Sequence, residues 1–229
     1  MDAPASLIEL MFACIILLIA VNLAASLANR FQLAVGLLDA DVYEPSILTM
    51  MKLQGKPEAN EDLKMIPKEN YGVKCMSMGF LVEKDVPIVW RGPMVMSDLE
   101  KMAKGVEWRK LDILVVDMPP RIDDAQLTIL HYSTFKEVLT CLTNLMFRQP
   151  SFIFRERGAR RTAAELSHEY LGGVNTHRMD IRSCCDEGNP IIMSSPDSAS
   201  ARHYIDVAQK VMKRLKELSQ KQFHLEISI

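Results

Sequence analysis

The sequence predicts an α/β protein built on a doubly wound, mainly parallel sheet with helices on both faces. Two observations carry that prediction. Residues 33–38 and 113–116 are continuous apolar runs rather than alternating ones, which is how strands buried on both faces of a parallel sheet read. Each run ends on an acid, Asp39 in one and Asp117 in the other, and open α/β sheets bind ligands at the carboxyl ends of their strands. Pro119-Pro120 follows the second acid, and because proline cannot donate to a ladder the chain must turn there.

Composition sets the outer bounds. With 229 residues, 48% hydrophobic and 24% charged, the chain is long enough for one α/β domain and too apolar to be disordered. A formal charge of −2, with basic residues scattered rather than striped, argues against nucleic acid as a partner. The five cysteines, Cys14, Cys75, Cys141, Cys184 and Cys185, form no C-x-x-C pair, so neither a disulfide framework nor a zinc ribbon is written here and a reducing compartment is expected.

Taken in order, residues 10–28 form a nineteen-residue apolar stretch without a charge. It meets the length criterion for a membrane span, but Asn22 and the helical spacing of Ala20, Leu23, Ala24 and Leu27 favour a buried helix covering residues 1–30. No transit or secretory signal is legible, since Asp2 and Glu9 precede the run. Residues 33–38 follow as a strand ending on Asp39 and Asp41; in a doubly wound sheet this end lies near the one that carries Asp117, and paired hard oxygen ligands there suit Mg²⁺ with phosphate, the alternative for Asp39 and Asp41 being a solvated turn with an N-cap. Residues 47–53 read as a short helix, and 63–66 and 73–78 as extended pieces. Arg91 lies in a tight turn, where it is a phosphate ligand, a partner for an acid or an exposed side chain; Ser97 then precedes a helix pattern on Leu99, Met102 and Val106. After the strand ending at Asp117, residues 127–148 offer no second clear buried strand. Residues 151–154 suggest an edge strand, 158–170 a helix, 186–195 a turn then a strand, and 197–217 a helix with Ala201, Ile205, Ala208, Met212 and Leu215 on one face. The domain spans 31–220, with 221–229 a tail.

With these segments placed, VGLLDADVYEPS, YGVKCMSMGFL, VPIVWRGPMVMS and LDILVVDMPP closely resemble the Mrp/NBP group of P-loop ATPases that carry iron–sulfur clusters. Within it they are most similar to the mitochondrial nucleotide-binding-protein-like branch, which supplies 4Fe–4S clusters to respiratory complex I. FRERGARRTAAEL and IRSCCDEGNPI resemble later parts of the same family. The resemblance implies a P-loop NTPase-like fold, ATP with Mg²⁺, a 4Fe–4S cluster, complex I iron–sulfur subunits as partners, a homodimer, and a mitochondrial location in the matrix or at the inner membrane. It gives Asp39 the catalytic role of polarising the attacking water, sets Asp41 and Asp117 near Mg²⁺, and makes Pro119 the start of the γ-phosphate switch. Asn144 and Pro190 fall where the base would be held.

The sequence departs from that family at defined places. Where the family has a glycine-rich loop ending in Gly-Lys-Ser/Thr, this chain has LMFACIIL at residues 10–17, with no glycine to turn backbone N–H groups onto phosphate and no lysine. Glu44 stands in place of a glycine, and residues 121–124 replace a glycine-bearing switch. The region around 127–150 is shortened and lacks the cluster-binding C-x-x-C, which leaves the vicinal Cys184 and Cys185 as the remaining metal candidates. Two functions follow from different classes: a cluster carrier or assembly factor with ATPase chemistry, or a non-hydrolysing variant acting as an interaction module or tethered to a membrane through residues 10–28.

Overall fold

The computed structural model describes residues 10–14, 17–40, 45–81, 102, 105–117, 137–141 and 179–226. Among them runs one six-stranded sheet. In chain order the elements are β1 (Leu10–Cys14), α1 (Leu17–Phe31), β2 (Val35–Asp39), α2 (Ile47–Met50), β3 (Lys68–Asn70), β4 (Val73–Ser77), β5 (Ile113–Asp117), β6 (Glu137–Cys141), α3 (Met179–Asp186), α4 (Ile191–Ser194) and α5 (Ala199–Glu226). Across the sheet the order is β3-β4-β2-β5-β1-β6; every neighbouring pair is parallel except β3 with β4.

The expected strands at 33–38 and 113–116 are β2 and β5, and both are buried along their whole length. Gly36 makes their packing feasible: a Cβ there would stand 2.6 Å from Leu111 Cδ1 and 2.7 Å from Leu114 Cδ1. A side chain there would force both leucine side chains to move.

The apolar stretch at 10–28 is not a single helix. Residues 10–14 are a strand inserted between β5 and β6, and only from Leu17 does the chain become helical. Among the described residues no helix is long and apolar enough to cross a membrane. α1 instead lies in the interior, with Val21, Leu23, Ala24, Ala25 and Leu27 all fully buried. A helix that is apolar on every face belongs in a core, and burying each Leu or Val contributes roughly 1.5–3 kcal/mol. Two of its buried polar side chains bond the preceding turn of the helix. Ser26 Oγ donates to the Asn22 carbonyl at 2.8 Å, and Asn22 Nδ2 donates to the Leu18 carbonyl at 2.8 Å. The helix ends in a left-handed residue, Gln32 (φ 55°), after which Leu33 N–H reaches back to the Leu27 carbonyl at 3.4 Å. That return gives an acceptor role to one of the carbonyls the last turn leaves open.

Three expectations change. Residues 191–194 form a helix rather than a strand, because Pro190 (φ −48°) presents its carbonyl to the N–H groups of Met193 and Ser194 at 2.8 and 3.0 Å. Val106 is not on a helix: it bridges Met65, whose N–H and carbonyl bond Gly105 and Glu107. Residues 137–141, where no clear strand is legible, form β6. The segments at 151–154 and 158–170 lie outside the described residues.

On the final helix, α5, Ala201, Tyr204, Ala208 and Val211 face the core, with Ile205 and Met212 packed at its margin.

Candidate functional site at the carboxyl edge of the sheet

Parallel strands in register bring their last residues into a row. Ser77 of β4 is the partner of Asp39 on β2, Asp39 of Asp117 on β5, Asp117 of Cys14 on β1, and Cys14 of Cys141 on β6. Neighbouring members of such a row stand about 4.8 Å apart at the backbone. The two acids singled out by sequence are therefore side by side at the edge where this fold class binds ligands.

Both are deeply buried, Asp39 at 0% and Asp117 at 4% exposure. The Asp39 carboxylate is held from two directions: Ser77 Oγ donates to Oδ2 at 3.0 Å, and Ile47 N–H at the start of α2 approaches the same oxygen at 3.4 Å. Ser77 Oγ in turn accepts from Gly79 N–H at 3.0 Å. Ala40 N–H donates to the Asp117 carbonyl at 2.8 Å, fastening the chain as it leaves β2 to the end of β5. A pair of buried carboxylates at this spacing attracts a cation, since burial of like charges is costly without one.

Ser77 is a site residue that sequence reasoning missed. A serine closing an apolar run reads as turn chemistry, and its link to Asp39 exists only once β4 is paired with β2.

The other expected site residues are distributed differently. Asp41, Pro119 and Asn144 lie outside the described residues. Pro190 is buried in the turn that leads into α4. Tyr71 Oη donates to the Gly188 carbonyl at 2.8 Å and lies 3.1 Å from Asn189 Oδ1, which also accepts from Lys52 Nζ at 2.9 Å. Cys184 and Cys185 do not share a face of α3. Cys185 is fully buried, its Sγ accepting from Asn22 Nδ2 at 3.4 Å, whereas Cys184 is half-buried. Burial pushes the Cys185 thiol up to about 11, against the thiolate that metal binding needs. Cys75 in β4 is pushed higher still, again chiefly by burial. Among the described side chains, no three His, Cys, Asp or Glu converge as metal ligands.

The turn from β1 to α1 is where a phosphate cradle would lie. β1 ends at Cys14 and α1 begins at Leu17, leaving only Ile15 and Ile16 between them. The phosphate-binding loop of this fold class occupies about eight residues, with glycines and a lysine. The residues present here do not fit a nucleotide triphosphate at that position.

A parallel sheet with acids at the ends of adjacent strands and a helix returning behind them defines the nucleotide-binding α/β class of P-loop type. Solved structures bear this out at the level of fold. A nucleotide-binding protein from Archaeoglobus fulgidus in complex with ADP superposes with a TM-score of 0.60 at 20% identity, covering 80% of this chain and 86% of that one. The septum site-determining protein MinD with Mg-ADP from Pyrococcus horikoshii gives 0.61 at 12% identity, covering 89% and 95%.

Sequence narrows the class to one family: the chain belongs to the NUBPL iron-transfer P-loop NTPases, whose family model matches residues 18–145. That match begins at Leu18, just after the turn that lacks a cradle. The chain is 49% identical to the "iron-sulfur protein required for NADH dehydrogenase, mitochondrial" of Arabidopsis thaliana, covering 87% of this chain and 74% of that protein. It is 42% identical to the "iron-sulfur cluster transfer protein NUBPL" of Mus musculus, over 86% and 72%.

Proposed function

We propose that this chain takes part in iron–sulfur cluster transfer to NADH dehydrogenase in mitochondria, the recipients being iron–sulfur subunits of respiratory complex I. The cluster is cargo, and the resemblance implies a homodimer as the carrier. The observation that carries the reading is the 49% identity to the Arabidopsis protein required for NADH dehydrogenase, sustained over 87% of the chain. The two-residue connection from β1 to α1 supports a further point: transfer here runs without nucleotide held by a loop of this chain.

Complementation tests the first point. Expressed in mitochondria of cells lacking the endogenous relative, the chain restores NADH dehydrogenase activity. Normal expression and import without any recovery of activity overturns the reading.

A further inference from the structure

A small hairpin between α2 and β3 holds a leucine against both its backbone and its solvent preference. Ala59 and Met65 pair antiparallel at its base, and Met65 is clipped to the Gly105 carbonyl at 2.7 Å and to Glu107 N–H at 2.8 Å. Above them Asn60 closes the loop. Its N–H donates to the Lys64 carbonyl at 2.9 Å, its carbonyl accepts from Leu63 N–H at 3.0 Å, and its Oδ1 accepts from Lys64 N–H at 2.8 Å. Glu61, Asp62 and Leu63 are thus the loop, and the third residue of such a loop is left-handed, a conformation glycine adopts without strain. Leu63 adopts it at φ 61°. It is also 85% exposed, against 42% for Leu81, the next most exposed large apolar side chain among the described residues. A single exposed leucine is ordinary; one fixed in left-handed backbone at the tip of a loop is an outlier that folding does not reward.

We propose that the Leu63 tip is a docking knob for the recipient protein, seating in an apolar pocket whose rim carries Lys or Arg. The identity of the recipient, an iron–sulfur subunit of respiratory complex I, rests on the cluster-transfer reading above. Preorganisation is the first argument: three hydrogen bonds to Asn60 and the clip on Met65 fix the knob before it meets a partner, so little ordering entropy is lost on binding. Charge selects the partner. Glu61 and Asp62 are exposed in the same loop, so a basic rim complements the tip. A second copy of this chain docking tip to tip about a two-fold axis would set these acids against their own equivalents. An anionic membrane would repel them in the same way.

The full chain, titrated against purified iron–sulfur subunits of complex I by surface plasmon resonance, tests the contact directly. The parent binds at least one of them. Leu63→Asn, whose side chain tolerates left-handed backbone, weakens that binding at least about tenfold, the loss of one buried leucine. Its urea midpoint equals or exceeds the parent's, which separates docking from folding. Leu63→Met keeps the apolar tip and binds within about threefold of the parent. Glu61→Gln combined with Asp62→Asn slows association and flattens its dependence on salt. Loss of complementation by the parent with this binding intact removes the cluster-transfer reading and leaves the docking contact standing. No binding by the parent, equal binding by Leu63→Asn, or a lowered midpoint in that variant overturns the proposal. So does Leu63-dependent self-association in analytical ultracentrifugation, or Leu63-dependent sedimentation with phosphatidylcholine–phosphatidylglycerol vesicles.

Discussion

Replacing Ser77 with alanine tests whether the Asp39 carboxylate is held in place by the sheet edge. The hydroxyl makes two bonds, donating to Asp39 Oδ2 at 3.0 Å and accepting from Gly79 N–H at 3.0 Å. A hydrogen bond to a charged acceptor contributes roughly 1.5–3 kcal/mol, and leaving the partly buried Gly79 N–H without an acceptor adds about 1 kcal/mol. Ser77→Ala should therefore destabilise the fold by about 2.5–4 kcal/mol, read as a lower denaturation midpoint with unchanged slope in urea. Part of this loss belongs to the Ser77–Asp39 pair itself. A double-mutant cycle with Asp39→Asn should return a coupling of about 1–3 kcal/mol. If Ser77→Ala falls within about 0.5 kcal/mol of the parent, the range of an inconsequential surface change, the carboxylate is not positioned as described.

Three further outcomes are expected. Gly188→Ala should cost at least about 1–3 kcal/mol in chemical denaturation, because φ is +70° and the added Cβ would stand 2.7 Å from the Thr49 carbonyl oxygen. Isothermal titration should detect no micromolar binding of ATP with Mg²⁺; such binding would refute the mismatch between LMFACIIL and a phosphate cradle. Cys185 should lend the fold a pH dependence of defined sign. Its thiol is raised from 9.0 to about 11 in the folded chain, so the neutral form is favoured there. The stability it contributes is fully present below pH 9 and is lost as pH rises toward 11, at up to about 1.4 kcal/mol per pH unit. A Cys185→Ala variant should show a smaller decline across that window, measured by denaturation midpoints, and an identical decline in both chains would remove the burial argument.

What the sequence makes legible depends on how sharply each element is punctuated. β2 and β5 stand out because their apolar runs end abruptly on Asp39 and Asp117, and both acids do lie at the ligand-binding edge. β1 is concealed for the opposite reason: LMFAC passes into LLIAV with no glycine, proline or charge between them, so strand and helix read as one apolar segment. Only pairing with β5 and β6 separates them, and pairing is a long-range property. The IIMS segment has β-branched residues at its start, yet four residues behind a buried proline carbonyl close into a helical turn. Local propensity yields there to tertiary context. The site divides along the same line. Acids at strand ends are visible in one dimension, whereas the Ser77–Asp39 bond and the Cys14–Cys141 register depend on strand order.

The family match begins at Leu18, on α1. From Leu18 onward the chain supplies α1, β2 and β5, whose fully buried residues hold the centre of the sheet together. Those contacts need apolar volume and close approach at Gly36; they do not need a loop ahead of α1. The segment before Leu18 faces a weaker demand. It must fill the space between β5 and β6 and satisfy their backbone groups, and any short strand of apolar residues meets it. LMFAC does so with five in-register positions on each side.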